Sequence, residues 1–78
     1  MKTYYEVELA KNRDHDYTLG DTVTIAVISD KYPSSTEIEE HLKRTNSRFC
    51  HLKVCYIIEL LEIDMPEVIP YVEETIEL

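Results

Sequence analysis

Residues 22–46, TVTIAVISDKYPSSTEIEEHLKRTN, change their hydrophobic period once, and that change decides the fold. Up to Ser29 the chain alternates, with Val23, Ile25 and Val27 on one face and Thr22, Thr24 and Ala26 on the other. Period two with β-branched side chains is the pattern of a half-buried strand. Past Pro33 the period lengthens. Ser34 with Glu37 three residues later fits a capping box, in which each side chain satisfies the other residue's backbone N–H. Glu37, Glu39 and Glu40 fall in the first turns, where the helix dipole favours acids, and Lys43 and Arg44 in the last, where it favours bases. Ile38 and Leu42, one turn apart, give the buried stripe, and the helix is expected to end near Asn46.

On the N-terminal side, Lys2 to Ala10 alternates too: Tyr5, Val7 and Leu9 share one face, Tyr4, Glu6 and Glu8 the other. Lys11 to Gly20 is polar, holds the only glycine and reads as a connection closed by a turn at Gly20-Asp21. Consecutive strands in a small domain usually pair, so an antiparallel hairpin is expected. On the C-terminal side, Arg48 to Ile63 is the strongest core element. An unbroken alternation there puts Leu52, Val54, Tyr56, Ile58 and Leu60 on one face, and Phe49, His51, Lys53, Cys55, Ile57 and Glu59 on the other. Fully extended, this stretch would span about 50 Å. That is too long for a 78-residue domain, so the strand must bend, bulge or overhang, and an overhang would be open to pairing with another chain.

Asp64 to Leu78 has two solutions. Asp64 and Glu67 suit a short helical turn that Pro70 would break. A helix starting at Pro70 would place Val72 and Ile76 inward; a strand from Tyr71 to Leu78 is the alternative, and the propensities of Glu and Leu favour the helix. The expected architecture is a small single α+β domain over residues 1–78, in the order β-β-α-β followed by an acidic C-terminal helix or strand. Its sheet is mainly antiparallel, with one helix on the apolar face.

Charge is the main functional clue. Val54 to Leu78 contains no Lys or Arg and seven acids, whereas residues 1–53 hold nine acids and eight bases, so nearly all of the net −8 lies in the last third of the chain. Such a balance disfavours direct contact with nucleic-acid phosphates or anionic membranes and favours a basic partner, through an attraction that salt weakens. The N-terminal MKTYYEVEL lacks the apolar core of a signal peptide, and no apolar run is long enough to span a membrane, so a cytoplasmic location is expected.

No catalytic motif is visible. A single glycine forbids both a P-loop and a dinucleotide fingerprint. Asp14, Asp16 and Asp21 suggest a cation loop, but counting from Asp14 puts Thr18, Leu19 and Ile25 where an EF-hand needs an acid, a glycine and a glutamate. His41, Cys50, His51 and Cys55 carry zinc-ligand atoms without zinc spacing; Cys50 and Cys55 face opposite sides of a regular strand, which opposes a disulfide unless a bulge intervenes. No metal, cofactor or catalytic residue is therefore expected. Six tyrosines weigh toward contact with another protein, and Tyr4, Tyr17, Tyr32 and Tyr71 fall at positions expected to be exposed.

The sequence thus points to a non-catalytic acidic protein-binding module. Glu59, Glu62, Asp64, Glu67, Tyr71, Glu73, Glu74 and Glu77 would meet a basic, nucleic-acid-binding surface of a partner protein by imitating phosphates. In size and charge this resembles the small acidic inhibitors of phages and mobile elements, such as anti-CRISPR and anti-restriction proteins, and the resemblance implies occupation of a host protein's nucleic-acid channel. The alternative is a structural or regulatory homodimer paired through the 48–63 strand, with the acids as solvated surface.

Overall fold

The computed structural model describes residues 2–12, 22–60 and 72–78, and the account that follows concerns these. They form β1 (Thr3–Ala10), β2 (Val23–Ser29), α1 (Ser35–Arg44), β3 (Lys53–Glu59) and β4 (Glu74–Glu77). The four strands make one mixed sheet in the order β3-β1-β2-β4, and the protein is a small α+β structure.

β1 and β2 pair antiparallel with Val7 opposite Ile25. β1 also pairs antiparallel with β3, so β2 and β3 run parallel with β1 between them, and α1 is the crossover that joins them. Tyr5, Val7, Leu9, Ile25 and Val27 all face the helix, which contributes the fully buried Ile38 and Leu42. Each such aliphatic side chain contributes about 1.5–3 kcal/mol when withdrawn from water, which is the force holding α1 on this face.

The helix ends as local chemistry dictates. Ser34 Oγ accepts from the Glu37 N–H at 3.1 Å, and the Glu37 carboxylate accepts from the Ser34 N–H at 3.3 Å, completing the capping box. At the other end Asn46 adopts φ 55°, a left-handed value that asparagine tolerates better than most residues. This turn lets the Ser47 N–H reach the Leu42 carbonyl at 2.9 Å and the Asn46 N–H reach the Lys43 carbonyl at 3.2 Å, the two bonds of a Schellman cap.

Two expectations are corrected. First, alternation is broken in β3. Glu8 pairs with Tyr56 but Leu9 with Val54, so Cys55 is an extra residue in a β-bulge. Leu52 and Val54 face the core as expected, whereas Tyr56 and Ile58 emerge on the opposite face and Ile57 and Glu59 share the row of Val7 and Tyr5. The strand is also short, because 48–51 is a turn rather than an extension of it.

Second, Glu74–Glu77 is a strand, not the end of a helix. It pairs parallel with β2, with Ile76 opposite Val27, which makes the sheet mixed. Burying Ile76 against the core cluster outweighs the helix propensity of its glutamates, a tertiary override of a weak local preference.

Candidate functional site

Of the acids singled out in the sequence, the four that are described, Glu59, Glu73, Glu74 and Glu77, do not gather in one place. Glu59 ends β3 at one border of the sheet, while Glu73, Glu74 and Glu77 lie on or beside β4 at the other border. Two strands separate them, so their backbones stand roughly 14 Å apart, three strand spacings. Glu62, Asp64, Glu67 and Tyr71 lie outside the described residues.

Near β4 each acid has a donor within the chain. Glu74 is half-buried, and its Oε2 accepts from Ser47 Oγ at 2.7 Å. Arg48 Nη2 donates to the Glu73 carbonyl at 3.3 Å and stands 3.5 Å from Glu73 Oε2, while its guanidinium lies 4.7 Å from the centre of the Phe49 ring. Glu77 Oε1 accepts from Lys2 Nζ at 2.8 Å. This hydrogen bond, above all, raises the Lys2 ammonium above its ordinary value of 10.5. The helix cap and the turn after it thus hold the C-terminal strand through Ser47 and Arg48. The Arg48–Glu73 and Lys2–Glu77 contacts are exposed on both sides, and such pairs are worth little. Glu73 and Glu77 can exchange partners at small cost; Glu74 is part of the scaffold.

The described surface has two further features that sequence patterning missed. On the face away from α1, Glu8 is only 9% exposed, and its Oε2 accepts from Thr24 Oγ1 at 2.9 Å and from the Tyr56 hydroxyl at 3.2 Å. Tyr4, Glu6, Ile28 and Ile58 share that face, Ile58 being 46% exposed. The bulge is what brings Tyr56 to Glu8, so no regular alternation foretells the pair.

The second feature is the outer border of β3. Glu39 is 7% exposed on α1, and its Oε2 accepts from the Val54 N–H at 3.0 Å, with Lys53 Nζ 3.9 Å from the other oxygen. The Tyr32 hydroxyl donates to the Ile57 carbonyl at 2.7 Å, and its ring meets Tyr5 edge-on at 5.3 Å between centroids. Because the Leu60 N–H bonds the Tyr4 carbonyl, ladder bonds to β1 fall at every second residue, and Ile57 and Glu59 turn their backbone groups away from β1.

Among the described residues no group of three or more His, Cys, Asp and Glu side chains is arranged to hold a metal ion. Cys50 and Cys55 are both half-buried and are not joined as a disulfide; Cys50 packs against the core, and the Cys55 thiol lies 3.6 Å from the Asn12 carbonyl. No described helix is long and apolar enough to cross a membrane. The chain matches no protein-family model, no curated protein and no solved structure.

Proposed function

We propose that the protein is a non-catalytic acidic binding module whose partner is a protein with a basic, nucleic-acid-binding surface. Within that class the charge profile favours an inhibitor of the anti-CRISPR or anti-restriction kind, acting in the cytoplasm. The observation that carries the proposal is the base-free run of seven acids from Val54 to Leu78, set against a nearly balanced remainder. Supporting it, Glu73 and Glu77 sit exposed beside the short border strand β4 in ion pairs weak enough to be traded for a partner's Lys or Arg. Glu59 adds a second, separate acidic point at the far border of the sheet. The contact set is therefore narrower than the sequence suggests, since Glu74 is engaged by Ser47.

The test is capture of partners from a host lysate by the tagged protein, with washes of rising salt and competition by DNA or RNA. A basic nucleic-acid-binding protein that is lost at high salt and displaced by nucleic acid is expected. The Glu73→Lys/Glu77→Lys variant should weaken that capture strongly while the fold survives. Recovery of nothing but the protein itself, or capture unmoved by both charge reversals, refutes the proposal. The alternative homodimer through residues 48–63 would have to give up the Tyr32 and Glu39 bonds already made on that border.

A further inference from the structure

We infer that the outer border of β4 takes up an extended segment of a basic protein as an added strand. The inference rests on the binding reading proposed above and names the form in which the partner meets the acids. β4 ends the sheet and is paired on one side to β2. The Leu78 N–H bonds the Ile28 carbonyl at 2.8 Å, and the register runs unbroken from Ile25 opposite Glu74 to Ile28 opposite Glu77. Backbone groups alternate in direction along a strand. Glu74 and Ile76 therefore face β2, as Leu78 does, and Thr75 and Glu77 turn their N–H and carbonyl groups outward. Both residues are exposed, and among the described residues nothing bonds those outward groups. Such a border is a template for an extended peptide, which gains affinity from main-chain bonds and specificity from pockets for alternate side chains.

A pocket of that kind adjoins β4. α1 is tied toward β3 by Glu39, which bonds the Val54 N–H. Its opposite flank leaves a cleft of about 250 Å³ lined by Glu37, Glu40, Arg44 and Leu78. Leu78 follows β4 directly and packs against the core on the helix side, so side chains of an added strand that face α1 would enter this cleft. Leu78 supplies an apolar floor, and two carboxylates stand against one guanidinium. A lysine or arginine suits that lining, with its stem on Leu78 and its charged head at Glu37 or Glu40. The occupant is a basic segment rather than a second copy of this chain. Two β4 strands side by side would crowd Glu73, Glu74 and Glu77 of each copy onto one short ladder, and like charges across a ladder are destabilising.

The probe is a capped heptapeptide of alternating lysine and valine, titrated at low salt into the full chain and followed by NMR and amide exchange. The Thr75 and Glu77 N–H groups should exchange freely in the unbound chain and at least about tenfold more slowly in the peptide-saturated one, with the Leu78 methyl signals shifting. Thr75→Pro removes one outward N–H while keeping every charge and the ladder to β2, and should weaken the peptide at least about tenfold. A peptide that does not bind overturns the inference, as does one that binds with both amides still exchanging freely. Slowing of the same amides by protein concentration alone gives the border to a second copy and overturns it too. Should Thr75→Pro fail to fold, amide exchange in the wild type decides alone. The underlying reading fails separately. A basic lysate partner that folded Thr75→Pro still captures in full refutes only the added strand, whereas the absence of any basic partner refutes the reading on which it rests.

Discussion

Replacing Glu39 by alanine tests how a buried carboxylate can be structural in a chain whose acids otherwise suggest binding. Glu39 is 7% exposed, and its Oε2 is 3.0 Å from the Val54 nitrogen. Alanine withdraws the acceptor and leaves the Val54 N–H, itself in a residue 3% exposed, without that bond. An orphaned buried backbone donor costs about 1–3 kcal/mol. Lys53 adds little, because its side chain is 39% exposed and 3.9 Å away. A domain of 78 residues has roughly 4–12 kcal/mol of stability in all, so the loss is a large share of it. At roughly 4–8 °C per kcal/mol for a domain of this size, the midpoint of thermal unfolding should fall by about 4–24 °C. Urea unfolding followed by far-ultraviolet dichroism measures the loss, and amide exchange at Val54 locates it. Glu39→Gln retains a carbonyl oxygen that can accept the same bond and should recover most of the stability. The reasoning fails if Glu39→Ala unfolds within about 0.5 kcal/mol of the wild type, the range of an ordinary surface change. It also fails if Gln costs as much as Ala, since then the charge, and not the acceptor, holds β3 to the helix.

Ser34→Ala removes the acceptor of the capping box and should cost about 0.5–2 kcal/mol in urea unfolding, with Ser34→Gly costing less. Glu77→Gln should return the Lys2 ammonium toward its ordinary 10.5, read by NMR titration of its Nζ. The sign follows from the raised folded value: the pair's contribution is fully present below pH 10.5 and lost as pH climbs through that raised value, and added salt should diminish it. Deleting Cys55 joins Val54 directly to Tyr56 and makes β3 a regular alternation with every remaining face preserved; a cooperative urea transition is expected, and loss of cooperativity would show that the core depends on the bulge.

Much of the fold is legible in short-range pattern. The alternations of Tyr5, Val7, Leu9 and of Val23, Ile25, Val27, and the Ser34–Glu37 box, each depend on residues within one element, so the chain itself carries the information. Two features are not legible, for one physical reason: they are decided by pairing with distant residues. The bulge at Cys55 exists because β3 must meet β1 in two registers, and nothing local to VCYII distinguishes it from a regular strand. The strand Glu74–Glu77 forms because β2 offers it a ladder and Ile76 a place in the core. The candidate site fared likewise. Among the described acids of the last third of the chain, Glu59 lies at one border of the sheet and Glu73, Glu74 and Glu77 at the other, and the division follows from a strand order of which the acids themselves contain no sign.

The described acids therefore do not act as one population, although composition counts all sixteen acids of the chain as one. Glu8 holds two hydroxyls from neighbouring strands, Glu39 holds a backbone N–H of β3, and Glu74 holds the serine that closes the helix. Each is buried or half-buried, and each meets a donor that apolar substitution would orphan; reversing their charge attacks the fold first. Glu59, Glu73 and Glu77 are exposed, and the ion-pair partners of the last two, Arg48 for Glu73 and Lys2 for Glu77, are exposed as well. A long-range attraction for a basic partner depends on the sum of all these charges, whereas specific contact depends only on those that can leave their present donors. Charge patterning in this chain consequently sets the sign of a partner, and the hydrogen bonds of the folded state decide which of the described carboxylates are free to meet it.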